Sequence, residues 1–172
     1  KRHFGMSFQS AALLDFLTVE ENVSLPLKEH TDLDDKVISI ITRMKLGLVG
    51  LKGFENYYPS MLSGGMKKRV GVARAIAMDP LVVFYDEPTA GLDPVVCAVV
   101  DQLILDLTTR LNLTSIVVTH NMESVWRIAD RVAMIYKGKV LEIATPQEIR
   151  DSKNPIVHQF INGLIEGPIQ VN

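Results

Sequence analysis

Two adjacent carboxylates, Asp86 and Glu87, directly follow an apolar stretch over residues 81–85. An apolar run of this length is typical of a strand buried on both faces of a parallel sheet. Ligands of such sheets bind at the carboxyl ends of the strands. Two carboxylates at that end could hold a divalent cation and deprotonate a water molecule. A strand that ends in a solvated acidic turn would give the same pattern, so the pair alone does not decide the function.

A hydroxyl and two glycines, Ser63, Gly64 and Gly65, stand where a helix is expected to begin. Free backbone N–H groups and the positive end of the helix dipole favour an anion there, and glycine lets a phosphate approach the backbone closely. By themselves, these residues fit an ordinary helix N-cap with flexible glycines equally well.

Three further residues gain meaning only from their order along the chain. His120 follows a second apolar stretch, residues 115–119, and could donate a ring N–H to a phosphate. Gln9 follows a short predicted strand, residues 3–8, and Asp93 is placed to cap a helix. Taken singly, a histidine, a glutamine and a helix cap are all ordinary surface features.

The elements that position these residues change in character near residue 79. Residues 10–78 are predicted to be mostly helical. Thr18 and Glu21 form a capping box that starts a short helix, which Pro26 is expected to end. Further helices are predicted over residues 34–46, where the apolar residues have helical spacing, and from Gly64 to about Met78.

Strands alternate with helices after that point. Predicted strands cover residues 81–85 and 115–119, and predicted helices cover 94–111, 121–129 and 156–164. Lys137-Gly138 is typical of a hairpin turn, and Thr145 with Glu148 forms another capping box. The alternation indicates an α/β fold with a parallel sheet, into which the preceding helical block is inserted.

The ordered set resembles the ABC ATPase family along essentially the whole chain. The correspondences are Gln9 with the Q-loop glutamine, Ser63-Gly64-Gly65 with the signature motif (Met66 standing where glutamine is more usual), Asp86-Glu87 with Walker B, Ala90-Gly91-Leu92-Asp93 with the D-loop, and His120 with the switch histidine.

This resemblance implies a P-loop NTPase (RecA-like) core with an inserted ABC helical subdomain, and ATP and Mg²⁺ as cofactors. It implies that Glu87 and His120 are catalytic, that Asp86 and Gln9 hold Mg²⁺ through water, and that the nucleotide is bound by Gln9, Ser63, Gly64, Gly65 and Asp93. The corresponding division of the chain is 1–9 (end of the first core part and Q-loop), 10–78 (helical subdomain), 79–150 (second core part) and 151–172 (terminal helix and tail).

The resemblance also implies partners and a location. Subunits of the family pair head to tail, so Ser63, Gly64 and Gly65 would serve the ATP of a second ATPase subunit. A membrane permease docks on the helical block, for which exposed apolar residues such as Leu13, Leu14 and Phe16 are candidates, although these side chains could equally pack the subdomain. The protein would then lie at the cytoplasmic face of the inner membrane.

A phosphate-binding loop of the form Gly-x-x-x-x-Gly-Lys-Ser/Thr does not occur in the 172 residues. Around Gly138-Lys139, Ala133 replaces the first glycine and Val140 the hydroxyl residue. Because the sequence begins with Lys1, we expect an N-terminal part that carries this loop to be missing and the core to be incomplete. Residues 1–172 alone should then bind ATP weakly and hydrolyse it negligibly.

Segments outside the shared motifs narrow the resemblance to the ATPases of Mla/Mce-type phospholipid transporters, namely residues 8–13, 26–31 and 159–169. Transport of phospholipid between membranes of the bacterial envelope is therefore the expected function. A non-transport ABC ATPase acting on DNA or ribosomes is an alternative. The net charge of −2 and the lack of a heptad repeat in residues 10–62 argue against it, and we expect no nucleic acid partner. A non-hydrolysing binding module is a second alternative, which the intact acidic pair and His120 disfavour.

Overall fold

The computed structural model describes residues 3–170, and the chain forms two compact units that divide after His120. The first unit contains β1 (Phe4–Ser7), α1 (Val19–His30), α2 (Asp35–Leu48), a 3-10 turn (Pro59–Met61), α3 (Gly64–Ala75), β2 (Val82–Asp86), α4 (Pro94–Arg110) and β3 (Thr114–Val118). The second contains α5 (Met122–Ile128), β4 (Val132–Tyr136), β5 (Lys139–Ala144), α6 (Pro146–Arg150) and α7 (Pro155–Asn162). The four-part division expected from the sequence stays a prediction.

The three strands of the first unit form a parallel sheet in the order β1-β2-β3. Ser7 pairs with Tyr85, and Asp86 pairs with Val118. This register brings the carboxyl ends of all three strands to one edge of the sheet, from which residues 8–9, 87 and 119–120 continue. The predicted α/β arrangement with a parallel sheet is confirmed.

One face of this sheet is covered by helices. A side chain at Gly5 would lie 2.1 Å from the carbonyl oxygen of Ala75 at the end of α3. On the same face, the hydroxyls of Ser115 and Thr108 in α4 are 2.5 Å apart. Val83, which lies between Gly5 and Ser115 on β2, and Tyr85, two residues further along the same face, are fully buried.

The prediction that these strands are buried on both faces is wrong. Ile116 and Val118 of β3 are 43% and 59% exposed, and Val82 and Phe84 are only partly buried. The apolar run predicted the strands correctly because β-branched and aromatic residues favour them. It did not predict their burial, because burial depends on which helices pack against each face.

The capping box of α1 is present in both halves, with Thr18 Oγ1 accepting from the Glu21 N–H and Glu21 Oε2 accepting from the Thr18 N–H. The predicted end of this helix at Pro26 is wrong, since α1 continues to His30. Proline removes one helical hydrogen bond. Burial of Val23 and Leu27 on either side of it offsets that loss, because both side chains pack into the core of the unit.

The helix predicted over residues 34–46 is confirmed as α2, with Asp34 as its N-cap. The apolar residues whose spacing predicted it are largely exposed: Val37, Ile40 and Met44 are 41%, 61% and 65% exposed. Its buried residues are instead Ile38, Thr42, Lys45 and Leu46.

In the second unit, β4 and β5 form the predicted antiparallel hairpin. Lys137 and Gly138 have φ values of 48° and 73°, the pair of positive φ angles that a two-residue type I′ turn requires. The Gly138-Lys139 pair is therefore part of a tight turn. None of the helices in residues 3–170 has the length and hydropathy needed to cross a bilayer.

Candidate functional site

Glu87 begins the turn after β2, and its main chain and carboxylate are both fixed. Its φ is +45°, a left-handed conformation that is uncommon for residues other than glycine. Its N–H donates to the carbonyl oxygen of Val118 at 2.9 Å. Backbone strain of this kind persists only where surrounding contacts over-determine it, and it is often found at functional sites.

The Glu87 carboxylate receives three hydrogen bonds from residues that follow β3. The N–H of His120 donates to Oε1 at 3.1 Å, and the ring Nδ1 of His120 lies 2.7 Å from the same oxygen. The Thr119 hydroxyl donates to Oε2 at 3.2 Å. The Glu87 side chain is only 17% exposed, whereas that of His120 is 72% exposed. The carboxylate is thus held in a defined place while the histidine ring faces solvent.

Ser63, Gly64 and Gly65 form the start of α3 as predicted. Ser63 Oγ accepts from the Met66 N–H at 3.3 Å, so this serine is a helix cap. A side chain at Gly65 would lie 2.7 Å from Val96 Cγ1 in α4. Glycine at this position therefore allows the start of α3 to pack closely against α4.

The loop before α4 meets the same helix start. A side chain at Gly64 would lie 3.3 Å from Leu92 Cδ2. Asp93 Oδ1 accepts from the N–H groups of Val95 and Val96 at 3.0 and 3.1 Å. Asp93 is therefore a helix cap, and its loop lies beside the Ser63-Gly64-Gly65 segment.

Gln9 is exposed in the turn that follows β1, and its main chain is tied to the site by a residue that the sequence analysis missed. The Lys68 ammonium on α3 donates to the carbonyl oxygens of Gln9 at 2.6 Å and Glu87 at 2.9 Å. Lys68 is 7% exposed, and burial lowers its pKa against the opposing influence of Glu87 and Asp86. The sequence carried no signal for this role, because Lys68 falls outside the stripe of apolar residues that predicted the buried face of the helix.

The family model of the ABC transporter matches residues 1–90, more than half of the 172 residues. The chain belongs to the ABC transporter family. The assignment of the residues at the carboxyl edge of the sheet to the Q-loop, Walker B and switch positions, and of those at the start of α3 to the signature motif, stays a prediction.

Two curated relatives match almost the whole ABC chain. The Haemophilus influenzae intermembrane phospholipid transport system ATP-binding protein MlaF is 43% identical over 99% of this chain and 64% of its own length. The Mycobacterium tuberculosis probable ribonucleotide transport ATP-binding protein mkl is 39% identical over 96% of this chain and 46% of its own length. The chain thus spans about half to two thirds of the relatives that it matches.

A solved structure confirms the fold. It is that of cbiO1 from Clostridium perfringens, described as part of the ABC transporter complex cbiONQ, and it superposes with a TM-score of 0.80 at 29% identity. The match covers 91% of this chain and 62% of the cbiO1 chain. The predicted P-loop NTPase core of α/β type is therefore confirmed.

Membership of the ABC family implies that Mg²⁺ is bound together with the nucleotide. The residues at the sheet edge fit an ion that has few direct protein ligands. Among residues 3–170 no group of three or more His, Cys, Asp and Glu side chains could hold a metal ion. Asp86 offers one partly buried carboxylate at the end of β2. Mg²⁺ that is bound with a nucleotide commonly needs only one or two protein ligands, since water and phosphate supply the others.

Proposed function

We propose that this chain supplies catalytic and signature residues to an ATP-hydrolysing subunit that powers phospholipid transport between membranes. The observation that carries the proposal is the Glu87 carboxylate, held at the carboxyl edge of the parallel sheet by the main chain and ring of His120. Asp86 precedes it on β2. This is the set of groups needed to place a water molecule and an Mg²⁺-bound phosphate side by side.

The proposed roles follow from chemistry and position. Glu87 orients the attacking water and accepts its proton, because it is an ordered carboxylate with little exposure. His120 contacts the terminal phosphate with its exposed ring. Asp86 and Gln9 would hold Mg²⁺ through water, and the ion, when bound, would neutralise charge on the phosphates. Catalysis then consists of positioning and electrostatic stabilisation.

The signature residues are proposed to act on the ATP of a second subunit arranged head to tail. Gly64 is exposed at the first position of α3, where helix N–H groups lack intrahelical partners. Ser63 uses its oxygen as an acceptor in the cap, which leaves its O–H hydrogen free to donate to a phosphate. Asp93 lies beside this segment as the last residue of the D-loop.

A permease is the proposed membrane partner, and it would hold the subunit at the cytoplasmic face of the inner membrane. Phe16 is 76% exposed in the segment between β1 and α1, whereas Leu13 and Leu14 are partly buried. A groove of about 410 Å³ lies beside this segment and is lined in part by Phe8, Pro26 and Arg74. Exposed apolar surface next to a groove suits a protein partner.

Phospholipid is proposed as the substrate because the MlaF relative carries that function in its name and matches 99% of the chain. The mkl relative, named for ribonucleotide transport, provides the competing candidate at 39% identity. Both candidates share the same ATPase chemistry. The distinction between them therefore rests on transport measurements.

The test uses the intact subunit, expressed from its complete gene with the membrane subunits that purify with it. The complex is reconstituted in vesicles that contain a fluorescent phospholipid, and transfer to unlabelled acceptor vesicles is followed with and without ATP. We expect transfer that requires ATP and is lost in Glu87→Gln. Uptake of radiolabelled ribonucleotide without lipid transfer would contradict the proposed substrate, and ATP-independent lipid transfer would contradict the proposed motor.

A further inference from the structure

Lys68 is a buried lysine whose charge is directed at main-chain carbonyls. It lies on α3, one turn after the glycines of the signature motif, and is 7% exposed. Buried lysines are rare unless they are paired. The ammonium of Lys68 donates to the carbonyl oxygens of Gln9 at 2.6 Å and Glu87 at 2.9 Å. The ammonium group therefore connects two backbone segments that are far apart in sequence.

The two carbonyls belong to turns that leave neighbouring strands at the same level. Ser7 at the end of β1 pairs with Tyr85 of β2. Gln9 and Glu87 each follow those paired residues by two positions. One ammonium group therefore spans the gap between the Q-loop and the Walker B turn, where the sheet ladder no longer connects them.

The turn at Glu87 needs such support because its φ is +45°. Its N–H is bound to the carbonyl of Val118, and its carboxylate is bound to Thr119 and His120. The remaining main-chain group, the carbonyl, accepts from Lys68 at 2.9 Å and from the Ala90 N–H at 3.2 Å, so Lys68 provides the shorter of its two hydrogen bonds. Without Lys68 the carbonyl would keep only its turn hydrogen bond to Ala90, which would loosen the peptide after Glu87 and shift the carboxylate.

The same helix holds the residues that follow Gln9. The Arg74 guanidinium donates to the carbonyl oxygens of Ala11 and Ala12 at 2.6 and 2.7 Å. A side chain at Gly71 would lie 3.2 Å from Ala11 Cβ. Ala11 and Ala12 both have positive φ, and α3 supports this segment through Lys68, Gly71 and Arg74, which are spaced three residues apart.

We propose that Lys68 is a positioning residue that fixes Glu87 relative to Gln9 and couples both to the signature helix. This inference rests on the proposed ATPase function. A displacement of residues 9–12 by a bound partner would move α3, and Lys68 would carry that movement to the Walker B turn. Ser63, Gly64 and Gly65 begin the same helix and would move with it.

The test compares Lys68→Met, which keeps the length of the side chain without its donors, with Lys68→Arg, which restores donors. Lys45→Met is the matched control, since Lys45 is also a buried lysine in the first unit but pairs with Asp79. All variants are made in the intact subunit. The readouts are steady-state ATP hydrolysis and amide hydrogen exchange.

We expect Lys68→Met to lower kcat by about 10- to 100-fold, with KM for ATP changed less than about threefold, because a catalytic group is misplaced without loss of a nucleotide contact. Amides of residues 9–12 and of residues 87–90 should both exchange faster. Lys68→Arg should restore protection in both segments and part of kcat. Lys45→Met should change neither kcat nor the exchange of these two segments.

Wild-type kcat in a folded Lys68→Met protein would overturn the inference, as would faster exchange in only one of the two segments. An equal loss of kcat in Lys45→Met would also overturn it, since the effect would then reflect general stability. If Lys68→Met does not fold, Lys68→Gln, which retains one donor group, must show the same two-segment exchange effect. An intact wild-type subunit without ATPase activity would refute the proposed function, while hydrogen exchange would still test the connection that Lys68 makes between the two segments.

Discussion

Glu87 Oε1 accepts a hydrogen bond from the backbone N–H of His120 at 3.1 Å and lies 2.7 Å from the ring Nδ1 of the same residue. An ionised carboxylate can only accept, so the ring nitrogen that faces it is the donor. The other ring nitrogen can then donate to a phosphate only if both nitrogens carry protons. The proposed base, Glu87, is therefore in direct contact with the ring that is proposed to bind the phosphate.

Replacement of His120 by alanine should remove both functions of the ring. We expect His120→Ala to lower kcat for ATP by about 100-fold, the scale found for loss of one positioned acid, base or oxyanion donor. His158→Ala is the control, because His158 is exposed on α7 in the second unit. The measurement is the steady-state rate of ATP hydrolysis by the intact subunit. An unchanged kcat in His120→Ala would contradict the proposed role of the ring.

Gly65 is expected to be required for packing as well as for phosphate approach. A methyl group there would lie 2.7 Å from Val96 Cγ1, so Gly65→Ala should lower the free energy of unfolding by about 1–3 kcal/mol through overpacking. Gly64→Ala should cost less, because its nearest neighbour is the flexible Leu92 side chain at 3.3 Å.

Denaturant unfolding of a double-mutant cycle isolates this contact. The pair Gly65→Ala with Val96→Ala should unfold with a smaller loss than the sum of the single losses, since the second change removes the clashing methyl group. Strictly additive losses would show that the close approach of α3 to α4 is not what selects glycine.

Tyr85 makes the stability of the chain sensitive to alkaline pH. Burial raises the pKa of Tyr85 from 10.0 to about 12, and the nearby Ser115 hydroxyl opposes only part of that rise. Between these values the unfolded tyrosine ionises while the folded one keeps its proton, so the free energy of unfolding falls as the pH rises. The loss attributable to Tyr85 reaches about 2–3 kcal/mol near pH 12.

Comparison with Tyr85→Phe measures this contribution. The variant should lose less stability than the wild type as the pH is raised above 10, because phenylalanine has no proton to release. Chemical unfolding of both proteins at pH 8 and at several values above 10 gives the difference. Parallel stability curves over the whole range would mean that Tyr85 does not titrate in this way.

Features that depend on neighbours in sequence could be predicted, because their partners are only a few residues away. The capping interactions of Thr18, Asp93 and Thr145 lie within three residues of each cap, and all are present. The hairpin turn at Gly138 is equally local. The motif order along the chain likewise predicted which side chains follow the strands at the site.

Features that depend on distant partners could not be predicted. Pro26 lies inside α1 because burial of Leu27 offsets the missing hydrogen bond, and nothing adjacent in sequence reports that burial. The partners of Lys68 are 59 and 19 residues away along the chain. The exposure of Ile116 depends on which helices cover β3, so an apolar run could not settle it.

The central claim is that Glu87 is the base at an ATP site, and Glu87→Gln in the intact subunit tests it most directly. The glutamine keeps the size of the side chain and one acceptor oxygen but cannot take a proton. We predict a kcat at least about 100-fold below the wild type, with ATP affinity within a few-fold by calorimetry, and an unchanged kcat in the exposed control Glu123→Gln. Near-wild-type hydrolysis by Glu87→Gln would contradict the account.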